Sequence, residues 1–242
     1  MSSLRWHHRP KLRQPVLVAA FEGWNDAGEA ASGAARWLAD RYGATLRITR
    51  LRPSGRGADV WDELHPTAAQ QVQLYDWLVS HGDRVLTGDS FFHLSGLGEP
   101  GALPGLNLCG AGRVVCLIDP VGDVYACPFA IHDRFLAGNV VSDGGFAPVW
   151  KDSELFTELR RPQSAGACGS CGHYDACRGG CMAAKFFTGL PIDGPDPECV
   201  VGHGVSALAA ERDKPKPRVD HSRTVMLTLA RPPARLCNES PV

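Results

Sequence analysis

"CGSCGHYDACRGGC", residues 168–181, places four cysteines in fourteen positions, and what those thiols hold decides how this part of the chain folds. The run reads C-x2-C-x5-C-x3-C. A short turn between Cys168 and Cys171 brings two thiolates to the same side. Two such turns close a tetrahedral zinc site with Zn–S bonds of about 2.3 Å. Iron–sulfur clusters take thiolates at the same spacings. On the run alone, both metals stand.

Composition narrows the surroundings. At 242 residues, 44% hydrophobic and 21% charged, the chain has the make-up of an ordinary globular protein and length enough for a full core. A net charge of −1 offers no general field for nucleic acid or an anionic membrane. No apolar run approaches the ~20 residues that a spanning helix needs. "MSSLRWHHRPKLRQ" and "PVLVAAF" imitate a signal peptide, but seven apolar residues run straight into "EGWND" without a small-residue cleavage site. The chain therefore reads as cytoplasmic, where thiols stay reduced and clustered cysteines point to metal.

Along the chain, "PVLVAAF" (15–21) reads as a buried strand of a parallel sheet. Asp26 and Glu29 form a capping box for a helix over 27–42, with Ala30, Ala34, Leu38 and Tyr42 inward and Gly43 as its stop. No G-x-G-x-x-G or Walker lysine accompanies it, so this is a packing unit. "TLRITRLRP" from Thr45 alternates as a half-buried strand, and "SGRGADVWDELHP" reads as loop. A helix begins at Thr67 with Gln70 in a capping box, turns Val72, Tyr75, Leu78 and Val79 inward, and stops at Gly82. Residues 95–107 are too rich in Gly and Pro for regular structure and mark a boundary. The charged, proline-rich tail after Asp213 reads as having little order.

Nine cysteines occur: Cys109, Cys116, Cys127, Cys168, Cys171, Cys177, Cys181, Cys199 and Cys237. Seven of them, with Gly122, make the frame C-x12-G-x4-C, gap, C-x2-C-x5-C-x3-C, gap, C. This frame resembles the SPASM domain, the auxiliary-cluster extension of radical-SAM peptide maturases. "LRITRLRPSGRGADVWDELHPTAAQQ", "GDSFFHLSGLGE", "NLCGAGRVVCLIDPVGDVYACPFAIHD" and "CRGGCMAAKFFTGLPIDGPDPEC" together resemble the mycofactocin radical-SAM maturase family over about residues 45–222. Residues 12–43, with "PVLVAAFEGWNDAG", resemble the proteasome-assembly-chaperone family of actinobacteria instead.

The maturase resemblance implies two [4Fe–4S] clusters, one on Cys109, Cys127 and Cys181, the other on Cys168, Cys171, Cys177 and Cys199. It implies a small ribosomal precursor peptide as substrate, modified at its C-terminal Val-Tyr by oxidative decarboxylation and cross-linking, and a peptide-binding chaperone as partner. The implied fold is an α/β fragment, made of strand–helix units and a partial radical-SAM barrel end, followed by a small irregular α+β iron–sulfur domain. The expected segments are 1–43 chaperone-like, 44–95 terminal barrel element, 96–212 auxiliary-cluster domain and 213–242 disordered tail. The SAM-binding loop C-x3-C-x2-C is missing: Cys177 and Cys181 have the first spacing, but residue 184 is Ala. The chain thus reads as a hybrid that has no SAM site and is inactive alone. A zinc-stapled or chaperone-like interaction module is the alternative.

Cys116 is the open case. "LIDPVGDVY" reads as a hairpin with Asp119-Pro120-Val121-Gly122 at its tip, a type I turn followed by a left-handed Gly. Asp119 then faces Asp123, Val115 faces Cys127 and Cys116 faces Ala126, which makes Cys116 a small core residue. A two-residue turn would pair Cys116 with Cys127 and make it the fourth ligand of the first cluster. Among weaker candidates, His132 and Asp133 read as a solvated strand end, and His173 as ordering its loop. Arg178, Gly179 and Gly180 allow close backbone approach to cluster sulfurs. Arg47, Arg50 and Arg56 are candidates to face substrate or SAM. His7, His8 and Cys237 read as surface or tail.

Overall fold

The computed structural model describes residues 16–21, 33, 36–37, 39–81, 85–86, 91–98, 108–161 and 166–219. Strand β1 (Val16–Phe21) pairs in parallel with β2 (Thr45–Arg50), and β2 in parallel with β3 (Val85–Leu86). The alternation in "TLRITR" is realised: Leu46, Ile48 and Arg50 are buried on one face of β2. Leu46 and Ile48 pack against Leu74 and Leu78 and a group of apolar residues that includes Val85, Phe91 and Leu94. Residues 33, 36–37 and 39–42 are helical, and Gly43 at φ +60° ends that helix as expected. Among its described residues Ala39 is buried, whereas Tyr42, expected inside, is 69% exposed. The capping box at Asp26 lies outside the described residues.

The stretch read as loop after Arg52 is helical in short pieces. A 3-10 turn covers Gly55–Asp59, and helix α1 (Trp61–Leu64) follows. Trp61 is buried and stacks on His65 at 4.0 Å between ring centroids. Helix α2 (Ala68–Ser80) has the expected capping box: Thr67 Oγ1 accepts from Gln70 N, and Gln70 Oε1 accepts from Thr67 N. Its buried face differs from the expected one. Gln71, Leu74 and Leu78 are inside, while Val72 and Val79 are exposed. The reason is Gln71, a polar residue that enters the core because its Oε1 meets His93 Nε2 at 3.2 Å. Apolar periodicity cannot see a residue kept inside by a hydrogen bond. A second 3-10 stretch, Phe92–Leu97, occupies part of the segment read as irregular.

The second half is built around an antiparallel sheet of β4 (Leu117–Ile118), β5 (Asp123–Tyr125) and β6 (Leu136–Asn139). Leu117 pairs with Tyr125 and Ile118 with Val124, the register that the type I turn with its bulge predicts. Gly122 sits at φ +92° and donates to Asp119 O, while Asp119 Oδ1 accepts from Val121 N and Asp123 N. Helices α3 (Phe146–Asp152) and α4 (Glu154–Arg160) cover the sheet. Val149, Phe156 and Leu159 pack with Val124, Phe135, Met182 and Phe187 into a core that Cys181 also joins.

Among the described residues four further short helices follow: α5 (Gly166–Gly169), α6 (Tyr174–Cys177), α7 (Met182–Phe187) and α8 (His203–Ala210). The beginning of the tail is placed, against expectation. Lys216 Nζ lies 2.8 and 2.9 Å from the Asp62 carboxylate oxygens, Arg218 pairs with Asp59 at 2.9 Å, and Val219 packs on the core. The mixed α/β character expected from the sequence is present. Among the described residues no helix is long and apolar enough to cross a membrane.

Candidate metal centre

Each cysteine of the 168–181 run sits at a turn, and the turns fold the run on itself. Cys171 N donates to Cys168 O at 3.3 Å, Tyr174 N to Cys171 O at 3.1 Å, and Gly180 N to Cys177 O at 3.0 Å. From further along, Cys199 N donates to Asp196 O at 3.0 Å. The result is a cavity lined by Cys168, Cys171, Cys177 and Cys199 together. Burial pushes the Cys168 thiol up to about 11, with the nearby Cys177, Cys199 and Cys171 acting in the same direction and Lys185 opposing them. Burial also raises Cys177, although its sulfur accepts from the Gly179 backbone N–H. Buried thiols gathered in one place are suited to share a cation, which offsets the cost of ionising them there.

A second set meets at the far end of the run. Cys109 and Cys181 are close enough for each to shift the other's thiol, and Cys127 is close enough to act on Cys109 electrostatically. The Cys181 contact lowers the Cys109 thiol, against the effect of burial, and backbone N–H groups of Met182 and Ala111 add to it. The same contact and burial raise Cys181 well above the ordinary thiol value. Cys181 thus leaves its neighbours in the run and turns toward the hairpin. Cys116 is half-buried against the same core, and burial accounts for its raised thiol.

Arg178, Gly179 and Gly180 all have positive φ, at 51°, 77° and 80°, which swings the chain from one cysteine set to the other. The Arg178 guanidinium itself turns away, to Asp175 at 3.0 Å. His173 Nδ1 is 2.8 Å from Gly96 O, tying the cysteine loop to the 3-10 stretch at 92–97. His132 accepts from Arg134 N and packs edge-on against Phe186 at 4.8 Å, so it caps a 3-10 turn rather than standing in solvent. Arg56 is exposed and Arg47 half-buried. Arg50 is fully buried and paired with Asp196 and Glu198. It faces carboxylates of this chain, not an open site. His7, His8 and Cys237 lie outside the described residues.

Reading the sequence missed Asp196, Glu198, His93 and Lys185, all buried beside the cysteines. The available signal was "PDPEC", two carboxylates directly ahead of Cys199. Lys185 Nζ donates to Gly194 O at 3.2 Å. It also borders a second cavity, next to Cys109, whose charged lining residues are Arg113, Arg160, Arg178 and Lys185.

Residues 109–172 match SPASM, an iron–sulfur cluster-binding domain. Over 211 residues the chain is 80% identical to a mycofactocin maturase of Mycolicibacterium smegmatis, covering 85% of this chain and 54% of the relative. A mycofactocin maturase of Mycobacterium ulcerans is 83% identical over 186 residues, 77% of this chain and 50% of that protein. The first match is longer than the three-quarters expected from the sequence, and the likeness of residues 12–43 to proteasome-assembly chaperones finds no support in it. The solved structure "Native anSMEcpe with bound AdoMet and Cp18Cys peptide" aligns with 81% of this chain and 68% of its own, at 14% identity and a TM-score of 0.44. The chain spans about half the length of the curated relatives it matches, and over that span it is a relative of the mycofactocin maturases that carries a SPASM iron–sulfur segment.

Proposed function

We propose that this chain is the auxiliary iron–sulfur part of a mycofactocin-type radical-SAM peptide maturase. Cys168, Cys171, Cys177 and Cys199 hold one [4Fe–4S] cluster, and Cys109, Cys127 and Cys181 hold another. The observation that carries this reading is the convergence of the cysteines into two groups, with Cys181 leaving its run to meet Cys109. The residues fit the clusters: the donors are soft thiols, Gly179 offers a backbone N–H to the Cys177 sulfur, and the left-handed glycines leave no side chain in the way. When bound, such clusters pass single electrons. The protein's own part is to hold seven thiolates at fixed spacing and keep water from Cys168 and Cys181, which are buried. Residues 44–95 act as the end of the maturase barrel and 96–212 as the auxiliary domain. The substrate is a small ribosomal precursor peptide, modified at its C-terminal Val-Tyr and delivered by a peptide-binding chaperone.

Anaerobically purified chain is expected to be brown, with iron and sulfide approaching about eight of each, the content of two four-iron clusters. Colourless protein with stoichiometric zinc would replace this reading by the zinc-stapled interaction module. No C-x3-C-x2-C run occurs in the 242 residues, so the reconstituted chain alone is expected not to cleave SAM. Formation of 5′-deoxyadenosine above a control without protein would reveal a SAM site outside that motif.

A further inference from the structure

Asp196 is buried, and each of its carboxylate oxygens accepts two hydrogen bonds. Oδ1 accepts from Arg50 Nη2 at 2.5 Å and from Glu198 N at 3.0 Å. Oδ2 accepts from Arg50 Nη1 at 3.0 Å and from Cys181 N at 2.8 Å. The Asp196 carbonyl accepts from Cys199 N at 3.0 Å. One residue therefore grips Cys181 through its side chain and Cys199 through its main chain, and these two cysteines belong to different sets. Asp196 also lines the cavity of Cys168, Cys171, Cys177 and Cys199. Space is kept for it: a Cβ on Gly180 would collide with the Asp196 carboxylate, and one on Gly204 with the Asp196 carbonyl.

Arg50 comes from the last position of β2 and is itself buried. Its Nη atoms carry Asp196 and its Nε meets Glu198. His93, Asp196 and Glu198 point ligand atoms into one small volume, but the cation that both carboxylates face there is the guanidinium. A buried ion pair is a poor way to gain stability, since apolar replacements of similar volume are often neutral or better. What apolar groups cannot do is accept two cysteine-flanking N–H bonds or set a charge between two metal sites.

We propose that Asp196 is a positioning residue that fixes the spacing of the two cysteine sets, with Arg50 of β2 as its anchor, and that the balance of charge in this pair sets how easily both clusters are reduced. The proposal rests on the iron–sulfur reading above. Reduction potentials of such clusters follow local charge and hydrogen bonding. Asp196→Asn keeps the shape and an oxygen for Cys181 N, gives up the acceptor of Glu198 N and removes the negative charge, so both potentials move to more positive values while both sets still hold iron. Adding Arg50→Gln removes the positive charge too and returns both potentials part of the way toward wild type. Asp196→Ala keeps the main-chain carbonyl but removes the carboxylate that accepts from Cys181 N and from Glu198 N, next to Cys199, and iron is lost from both sets rather than from one.

The experiment is spectroelectrochemical titration with electron paramagnetic resonance of reduced, iron-loaded full chain, wild type against the three variants. Should Asp196→Ala not fold, the Asn variant and the double variant decide on potentials alone. Wild-type chain that holds full iron, with an Asn variant whose two potentials are unchanged, overturns the proposal alone. Wild-type chain that takes up no iron overturns the proposal together with the reading beneath it.

Discussion

Cys109 and Cys181 come together in the buried part of the chain, each shifting the other's thiol, although Cys181 stands only four residues after Cys177, whose electrostatic neighbours are Cys199 and Cys171. The switch is made by the three left-handed residues between them, Arg178, Gly179 and Gly180. Two groups of thiols are thereby drawn from one short run.

Single replacements should separate those groups. Cys171→Ala or Cys177→Ala is expected to remove about half the iron and to destabilise the 168–180 loop, where ligation stands in for a hydrophobic core. Cys181→Ala is expected to remove iron from the other group despite its neighbourhood. Iron determination with electron paramagnetic resonance on each variant distinguishes the two losses, and identical spectra from Cys177→Ala and Cys181→Ala would dissolve the grouping.

Cys116 provides the contrast. It stands one residue before the paired hairpin strand and packs half-buried on the core that includes Phe135 and Val124; continuing the hairpin register would set it opposite Ala126 rather than Cys127. Cys116→Ala is expected to retain nearly all iron and to cost about 1 kcal/mol, a usual loss for a small truncation. Iron falling as far as in Cys181→Ala would make Cys116 the fourth ligand of that group.

Gly180 is expected not to tolerate a side chain. Its φ of +80° disfavours any other residue, and a Cβ would strike Asp196. Gly180→Ala should cost about 2 kcal/mol or more, combining left-handed strain with the collision. Reduced melting temperature with lowered iron is the expected measurement; a variant as stable as wild type would mean that the Asp196 carboxylate has room to move.

Thr67→Ala tests the other half of the chain. Removing the cap hydroxyl that accepts from Gln70 N should lower stability by about 1 kcal/mol and leave iron content and cluster spectra untouched. A change in iron would show that α2 supports the cysteine sites, and denaturant unfolding alongside iron determination reads both.

A pH effect is expected at Asp143. Its carboxylate accepts from Asn139 N and from the Ser142 hydroxyl, and these bonds hold it below the usual carboxylate value. The stabilisation is therefore complete above the unfolded-state value and fades as pH falls through the lower folded one. The Asp143 carboxyl resonance should titrate below those of free aspartate, and Asp143→Asn should abolish the effect; a midpoint at the ordinary value would refute it.

Local rules were enough wherever the information was local. The capping box at Thr67 and Gln70, the alternation of β2, the stop at Gly43 and the register of the 117–125 hairpin are each written in a few adjacent residues, because a turn or a cap is made by its own side chains and dihedral angles. The seven-cysteine frame was legible for the same reason, as a pattern of spacings. Tertiary structure decided what depends on partners far away in the chain. Gln71 turned inward because His93 waited there; the beginning of the tail was placed because Asp59 and Asp62 pair with Arg218 and Lys216. Arg50 reads as one more basic residue on a strand, and Asp196 as one more acid near a proline. Only folding brings them 3.0 Å apart in a buried place, where desolvation leaves neither charge tolerable without the other.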